Sequence, residues 1–206
     1  MPETSRGTAI PPPPGILSSD VEFDSVYDSQ IRDLSQQHWT PVLVAVRAAQ
    51  LLTSAGATRV LDVGSGAGKF CIAGALSTEA AFVGVERRGY LVEVGRQAAL
   101  RLGADRATFV PASVDSFSFE GFNGVYLYNP FYEQISRFLV QIDGGLERSR
   151  DVYRHFVNST MNNLAAMAPP VVVVTFHGFG GLLPAGYEFR HVEPAGNDEL
   201  ELWVKK

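Results

Sequence analysis

The stretch VLDVGSGAGKF, residues 60–70, decides the fold. Its apolar half reads as a buried strand, its three alternating glycines as a sharp turn, and the residues from Lys69 onward as a helix. Gly64, Gly66 and Gly68 suit such a turn because the backbone must bend through conformations closed to other residues and approach a ligand with no side chain in the way. Further on, a second apolar run ends in Glu86, whose carboxylate can accept hydrogen bonds from both hydroxyls of a ribose. Loop and acid together describe a nucleoside-binding site.

Outward from the loop, strand-sized and helix-sized segments alternate. Strands are expected over 59–64, 81–86, 107–112, 124–129 and 170–176, and helices over 69–76, 89–102, 133–139 and 149–167, with Gly103 closing one helix and Gly144-Gly145 breaking between the last two. The near-continuous apolar runs imply strands covered on both faces, as in a parallel sheet wound with helices. The chain's end departs from this rhythm: the strand-like runs 187–192 and 199–205 are joined by a link too short for a crossover helix, so they form an antiparallel hairpin. The expected architecture is α/β, a Rossmann-like, mostly parallel seven-stranded sheet with helices on both faces and a C-terminal antiparallel hairpin.

Upstream, residues 1–19 with the run Pro11 to Pro14 read as a disordered proline-rich tail. Residues 20–55 read as an N-terminal helical lid or cap, and 56–206 as the nucleoside-binding domain. Within the cap, Thr40-Pro41 reads as a helix start, Thr as the cap and Pro as the donor-free first residue.

Composition narrows the classes. The 206 residues are 46% hydrophobic and 19% charged, enough apolar material for a core. The net charge of -5 argues against a sequence-independent grip on nucleic acid, which needs a basic surface. A single cysteine, Cys71, forms no internal disulfide, and the longest apolar run is strand-sized, so a cytoplasmic protein without membrane spans is expected. The four histidines are dispersed, and no metal site is expected.

Spacing discriminates among nucleosides. A dinucleotide fingerprint requires glycine where Lys69 stands, and a phosphate-cradling loop requires Ser or Thr where Phe70 stands. The string Asp62-x-Gly64-x-Gly66-x-Gly68, with Glu86 closing the next strand, resembles the first two motifs of the class I S-adenosylmethionine-dependent methyltransferases. The resemblance implies that Gly64, Ser65, Gly66 and Gly68 wrap the methionine part of the cofactor, that Asp62 supports the loop or its bound water, and that Glu86 holds the ribose. Where the family usually carries an acid contacting adenine, Ser113 stands, with Asp115 two residues on. In some families of this group a Thr at the position of Thr40 touches the cofactor.

The fourth strand ends Asn129-Pro130-Phe131-Tyr132. This resembles the Asn-Pro-Pro-Tyr motif of methyltransferases acting on planar nitrogens, with Phe131 in place of the second proline. In that family the Asn side-chain oxygen and the Pro carbonyl accept the two N–H bonds of the acceptor nitrogen, and the aromatic residue stacks on its plane. The resemblance implies Asn129, Pro130 and Tyr132 as catalytic residues and S-adenosylhomocysteine as a product. The acidic balance favours a protein or small-molecule acceptor. A nucleic-acid base, a lysine amine, a non-catalytic cofactor-binding module and a dinucleotide oxidoreductase stay open as alternatives.

Overall fold

The computed structural model describes residues 14–136, 142 and 148–206. Most of the tail, the Gly144-Gly145 break and the end of the helix expected over 133–139 lie outside the described residues. Six α-helices and seven strands are described: α1 (Asp20–Asp24), α2 (Ser29–His38), α3 (Val42–Ser54), β1 (Arg59–Val63), α4 (Lys69–Ser77), β2 (Ala81–Glu86), α5 (Gly89–Leu102), β3 (Ala107–Pro111), β4 (Gly124–Tyr128), α6 (Arg150–Ala166), β5 (Val171–Phe176), β6 (Tyr187–Ala195) and β7 (Asp198–Lys205).

The sheet runs β3-β2-β1-β4-β5-β7-β6. Five strands are parallel, and β7 pairs antiparallel with both β5 and β6. The expected seven-stranded α/β sheet with its terminal hairpin is therefore present. The hairpin is longer than expected because Gly196, at φ +60, turns the chain almost at once and lets β6 continue to Ala195.

Side-chain alternation builds two cores. Val60, Phe82, Tyr126 and Val172 face the layer of α3, α4 and α5, whereas Leu61, Val83, Val125 and Val171 face α6. Burying each such side chain stabilises the fold by about 1.5–3 kcal/mol. The close fit of α4 on the sheet depends on Gly74, where an added Cβ would stand 2.5 Å from the Phe82 ring.

The cap forms two helices, because Ser19 and Asp28 each accept a first-turn N–H, from Glu22 at 3.2 Å and from Ile31 at 3.0 Å. The start of α3 departs from expectation. Pro41 precedes the helix and Thr40 caps nothing; instead Asp20 reaches across from α1 to accept the Val42 N–H at 2.8 Å. Thr40 is buried, its hydroxyl 2.9 Å from the Tyr126 hydroxyl beneath it. A partner distant in sequence displaced the local one.

Chain order reverses between β1 and β4, which opens a crevice at their carboxyl ends. The glycine loop follows β1 and Asn129 follows β4, so both candidate motifs converge there.

Candidate active site

The crevice holds a cavity of about 550 Å³, within the range of about 300–1,000 Å³ common for small-molecule sites. Its walls come from the glycine loop, the ends of β2, β4 and β5, the start of β7 and the link between α2 and α3.

The loop has the backbone that its glycines foretold. Gly64 and Gly66 both have positive φ, +74 and +54, where other residues are strained. Gly66 is also pressed under the cap: a Cβ there would lie 2.3 Å from Nε1 of Trp39. Gly68 has a different role, since it does not line the cavity and its own Cβ would meet the Phe109 ring at 2.4 Å, so it serves close packing of α4 on β3. Ser65 lines the cavity, but its Oγ is buried against the bare face of Gly84 and has no hydrogen-bond partner among the described residues.

Glu86 is 5% exposed and turns toward the loop. Its Oε2 accepts the Gly66 N–H at 3.2 Å and its Oε1 the Arg88 N–H at 2.9 Å. Each oxygen keeps acceptor capacity, since a carboxylate offers about four lone-pair sites. The Arg88 guanidinium spans Glu86 at 3.6 Å and Glu133 at 2.5 Å. Beside this cluster a second, smaller cavity of about 50 Å³ reaches Ser113 and Val114 and is closed by Phe131 and Phe156. Asp115 stays outside both cavities, exposed and bonded to His155 at 2.9 Å; those hydrogen bonds, with Ser113 and His155, hold its carboxyl below the usual range.

Asp62 lines the main cavity at the end of β1, 5% exposed. Burial pushes its carboxyl up to about 7, against the opposing effect of the Cys71 thiol, which donates to Oδ2 at 3.5 Å.

Lys69 was read from sequence only for what it excluded, and it proves to be a central element. It is 2% exposed, and its Nζ lies 2.5 Å from Asp20, 2.8 Å from Asp24 and 2.9 Å from the Ser35 hydroxyl. One buried cation thus fastens α1 and α2 onto the glycine loop, assisted by the Tyr27 hydroxyl donating to the Ala67 carbonyl at 3.1 Å. A signal was available: a lone charge on an otherwise apolar helix, KFCIAGAL, must be buried and so must be paired.

At the other end, Asn129 has the unusual φ of +39 and its N–H is held by the Gly178 carbonyl at 2.7 Å. Its side-chain amide makes no hydrogen bond among the described residues, and it lines the cavity with Pro130 and Tyr132. Tyr132 is 39% exposed and opens a short 3-10 turn, whereas Phe131 turns away into the core against Phe156. The structure adds two residues that sequence reasoning did not group, His177 just past β5 and Asp198 at the start of β7, with Nδ1 and Oδ2 2.5 Å apart. They meet because the antiparallel register sets Phe176 opposite Leu200, which brings the first residue of β7 to the carboxyl end of β5.

The arrangement offers a buried carboxylate with spare acceptor capacity, close backbone and an adjoining small cavity, a donor and acceptor set able to take the hydroxyls of a sugar. No cluster of three or more metal-ligating side chains occurs among the described residues, and no helix there is long and apolar enough to cross a membrane. Residues 54–134, which include the loop, Glu86, Ser113 and the segment from Asn129 to Tyr132, match a methyltransferase-domain family. No curated protein matches the sequence. Among solved structures, TrmN from Thermus thermophilus superposes with a TM-score of 0.58 at 18% identity, over 85% of this chain and 52% of its own. The chain thus spans about half the length of that protein. An RNA methyltransferase from Salinibacter ruber in complex with S-adenosyl-L-homocysteine superposes with a TM-score of 0.55 at 20% identity, over 80% of this chain and 92% of its own. At such identities the likeness is one of fold. The match over residues 54–134 and the shared fold agree with the chemistry of the crevice, and that stretch is accordingly similar to a methyltransferase domain within a Rossmann-like fold.

Proposed function

We propose that the protein methylates a nitrogen of a protein or small-molecule acceptor. The observation that carries this reading is Asn129: a non-glycine residue in the left-handed region, fixed by its own N–H, with a side-chain amide left to the cavity. Strained backbone of this kind persists where the surroundings over-determine it, as at functional sites. The Asn129 side-chain oxygen and the Pro130 carbonyl would accept N–H bonds of the acceptor, and Tyr132, half in water, would cover its plane. The net charge of -5 supports a protein or small molecule over nucleic acid.

S-adenosylmethionine supplies a methyl group on positively charged sulfur, so in-line attack needs placement more than acid or base strength. On this reading Glu86 holds the ribose, Gly64, Ser65 and Gly66 border the methionine part with Asp62 behind them, and Ser113 edges the base. Gly68 acts through packing. Thr40 acts through Tyr126, whose phenol burial keeps well above its ordinary pKa and therefore neutral.

The test is incubation with methyl-labelled S-adenosylmethionine and cell extract separated into protein, RNA and small-molecule fractions, with mass spectrometry of whatever is labelled. N-methyl groups in protein or small molecules are expected; O- or C-methyl products would defeat the reading, and label confined to RNA would move the acceptor to a base. Asn129→Ala should keep cofactor affinity and lose about 100-fold or more in turnover, the scale of one preorganised polar contact at the reacting centre.

A further inference from the structure

We infer that His177 is the proton acceptor of the transfer and that Asp198 is its positioning residue; this rests on the reading of a nitrogen acceptor bearing N–H. Among the described residues only two non-glycines have positive φ, Asn129 and His177, and they adjoin at the carboxyl ends of neighbouring strands, tied through the Asn129 N–H to the carbonyl of Gly178. Strain confined to this pair points to a constraint other than folding. Both line the same cavity.

The other ionisable groups of the cavity are already engaged. Lys69 is held by Asp20 and Asp24, Arg88 by Glu86 and Glu133, Asp62 receives the Cys71 thiol, and the second imidazole of the cavity, His38, has a buried Nε2 and a partner of its own. His177 differs: Nδ1 stands 2.5 Å from Asp198, its ring lies 5.6 Å from that of Tyr128, and Nε2 makes no hydrogen bond among the described residues. The groups that face it are Asp198 from β7 and Tyr128 from β4, with Phe176 against its ring at 4.4 Å. Burial raises the Tyr128 phenol, which leaves it neutral and unsuited to take a proton. With side-chain exposures of 29% and 38%, His177 and Asp198 reach both the cavity and water. A new N–C bond forms at the acceptor as the S–C bond breaks, giving a neutral thioether and a nitrogen with one proton in excess. Nε2 takes that proton and releases it to water, and the Asp198 carboxylate compensates the charge the ring carries meanwhile.

The experiment compares wild type with His177→Asn and Asp198→Asn, using methyl-labelled S-adenosylmethionine and the extract fraction that wild type labels. Asn in left-handed backbone is strained no more than the His it replaces, so the substitution adds no strain and the fold should survive; thermal unfolding and calorimetric binding of S-adenosylmethionine, within twofold of wild type, check this. His177→Asn should lower kcat at least 100-fold and abolish the acid limb of kcat/KM. Asp198→Asn should lower kcat about tenfold or more with KM for S-adenosylmethionine unchanged, and Asp198→Glu should restore part of it, because the carboxylate then still holds the Nδ1 side of the ring. If His177→Asn keeps the wild-type rate and pH profile while Asn129→Ala stays impaired, the proton-acceptor role falls and the nitrogen reading stands. If wild type labels no nitrogen, both fall.

Discussion

The two ends of the cavity are built on opposite principles. At the loop end the charges are sealed: Lys69, Glu86 and Asp62 are 2%, 5% and 5% exposed, and each has a protein partner. At the β4–β5 end Tyr132 is 39% exposed and Asn129 presents to the cavity an amide with no hydrogen bond among the described residues. Removing a charge from water costs several kcal/mol unless it is paired, so the sealed end is stable only as a completed set. The open end has no such requirement, since its polar groups face the cavity and can be solvated there. The comparison teaches that, on the proposed reading, the sealed end suits a constant ligand and the open end an exchanged one.

Disrupting the sealed end should have the largest effect. Lys69→Met strands Asp24, itself 7% exposed, and breaking one partner of a buried pair is expected to cost about 3–5 kcal/mol. Denaturant unfolding measures it, and a cost below 1 kcal/mol would show that the latch is solvated. Asp62 sharpens the same end through pH. Its folded value of about 7 lies above the ordinary 3.8, so the folded state binds the extra proton. The resulting stability is full below about pH 4 and is lost as pH rises toward 7, by up to roughly 4 kcal/mol. Asp62→Asn should flatten that slope in urea melts taken across the same range.

Smaller effects are expected on the binding of S-adenosylmethionine, read on protein whose folding has been checked by thermal unfolding. Glu86→Ala should weaken S-adenosylmethionine by about 10- to 100-fold, the worth of hydrogen bonds to a charged group. Gly66→Val should weaken it at least as much, because the new Cβ collides with Trp39; unchanged calorimetric affinity in both variants would remove the loop from the site. The smallest effect is expected far from either end, at Arg47 and Glu193, which join α3 to β6 through bonds of 2.5 and 2.7 Å. With Arg47 48% exposed, Arg47→Ala should cost less than about 1 kcal/mol in the same melts.

What was legible in the sequence was local. The turn after β1 needs glycine whatever surrounds it, and Glu86 closes its strand at a fixed distance from that turn, so both could be found from spacing. The hairpin followed from a link too short to hold a helix. The cap of α3 was misplaced because Thr40 is the nearest acceptor along the chain, whereas Asp20 is the nearest in space. Lys69 was misjudged for the same reason: its partners precede it by more than thirty residues, and no periodicity reports such a distance.

The sequence by itself determined the order of strands and helices, the strained turn and the acid that answers it, because each depends on neighbours along the chain. Tertiary structure alone decided which charges are sealed, that the third glycine serves packing, and that His177 meets Asp198. The physical reason is that these follow from sheet register and helix docking. An antiparallel strand added last carries its first residue to the mouth of a crevice formed much earlier in the chain.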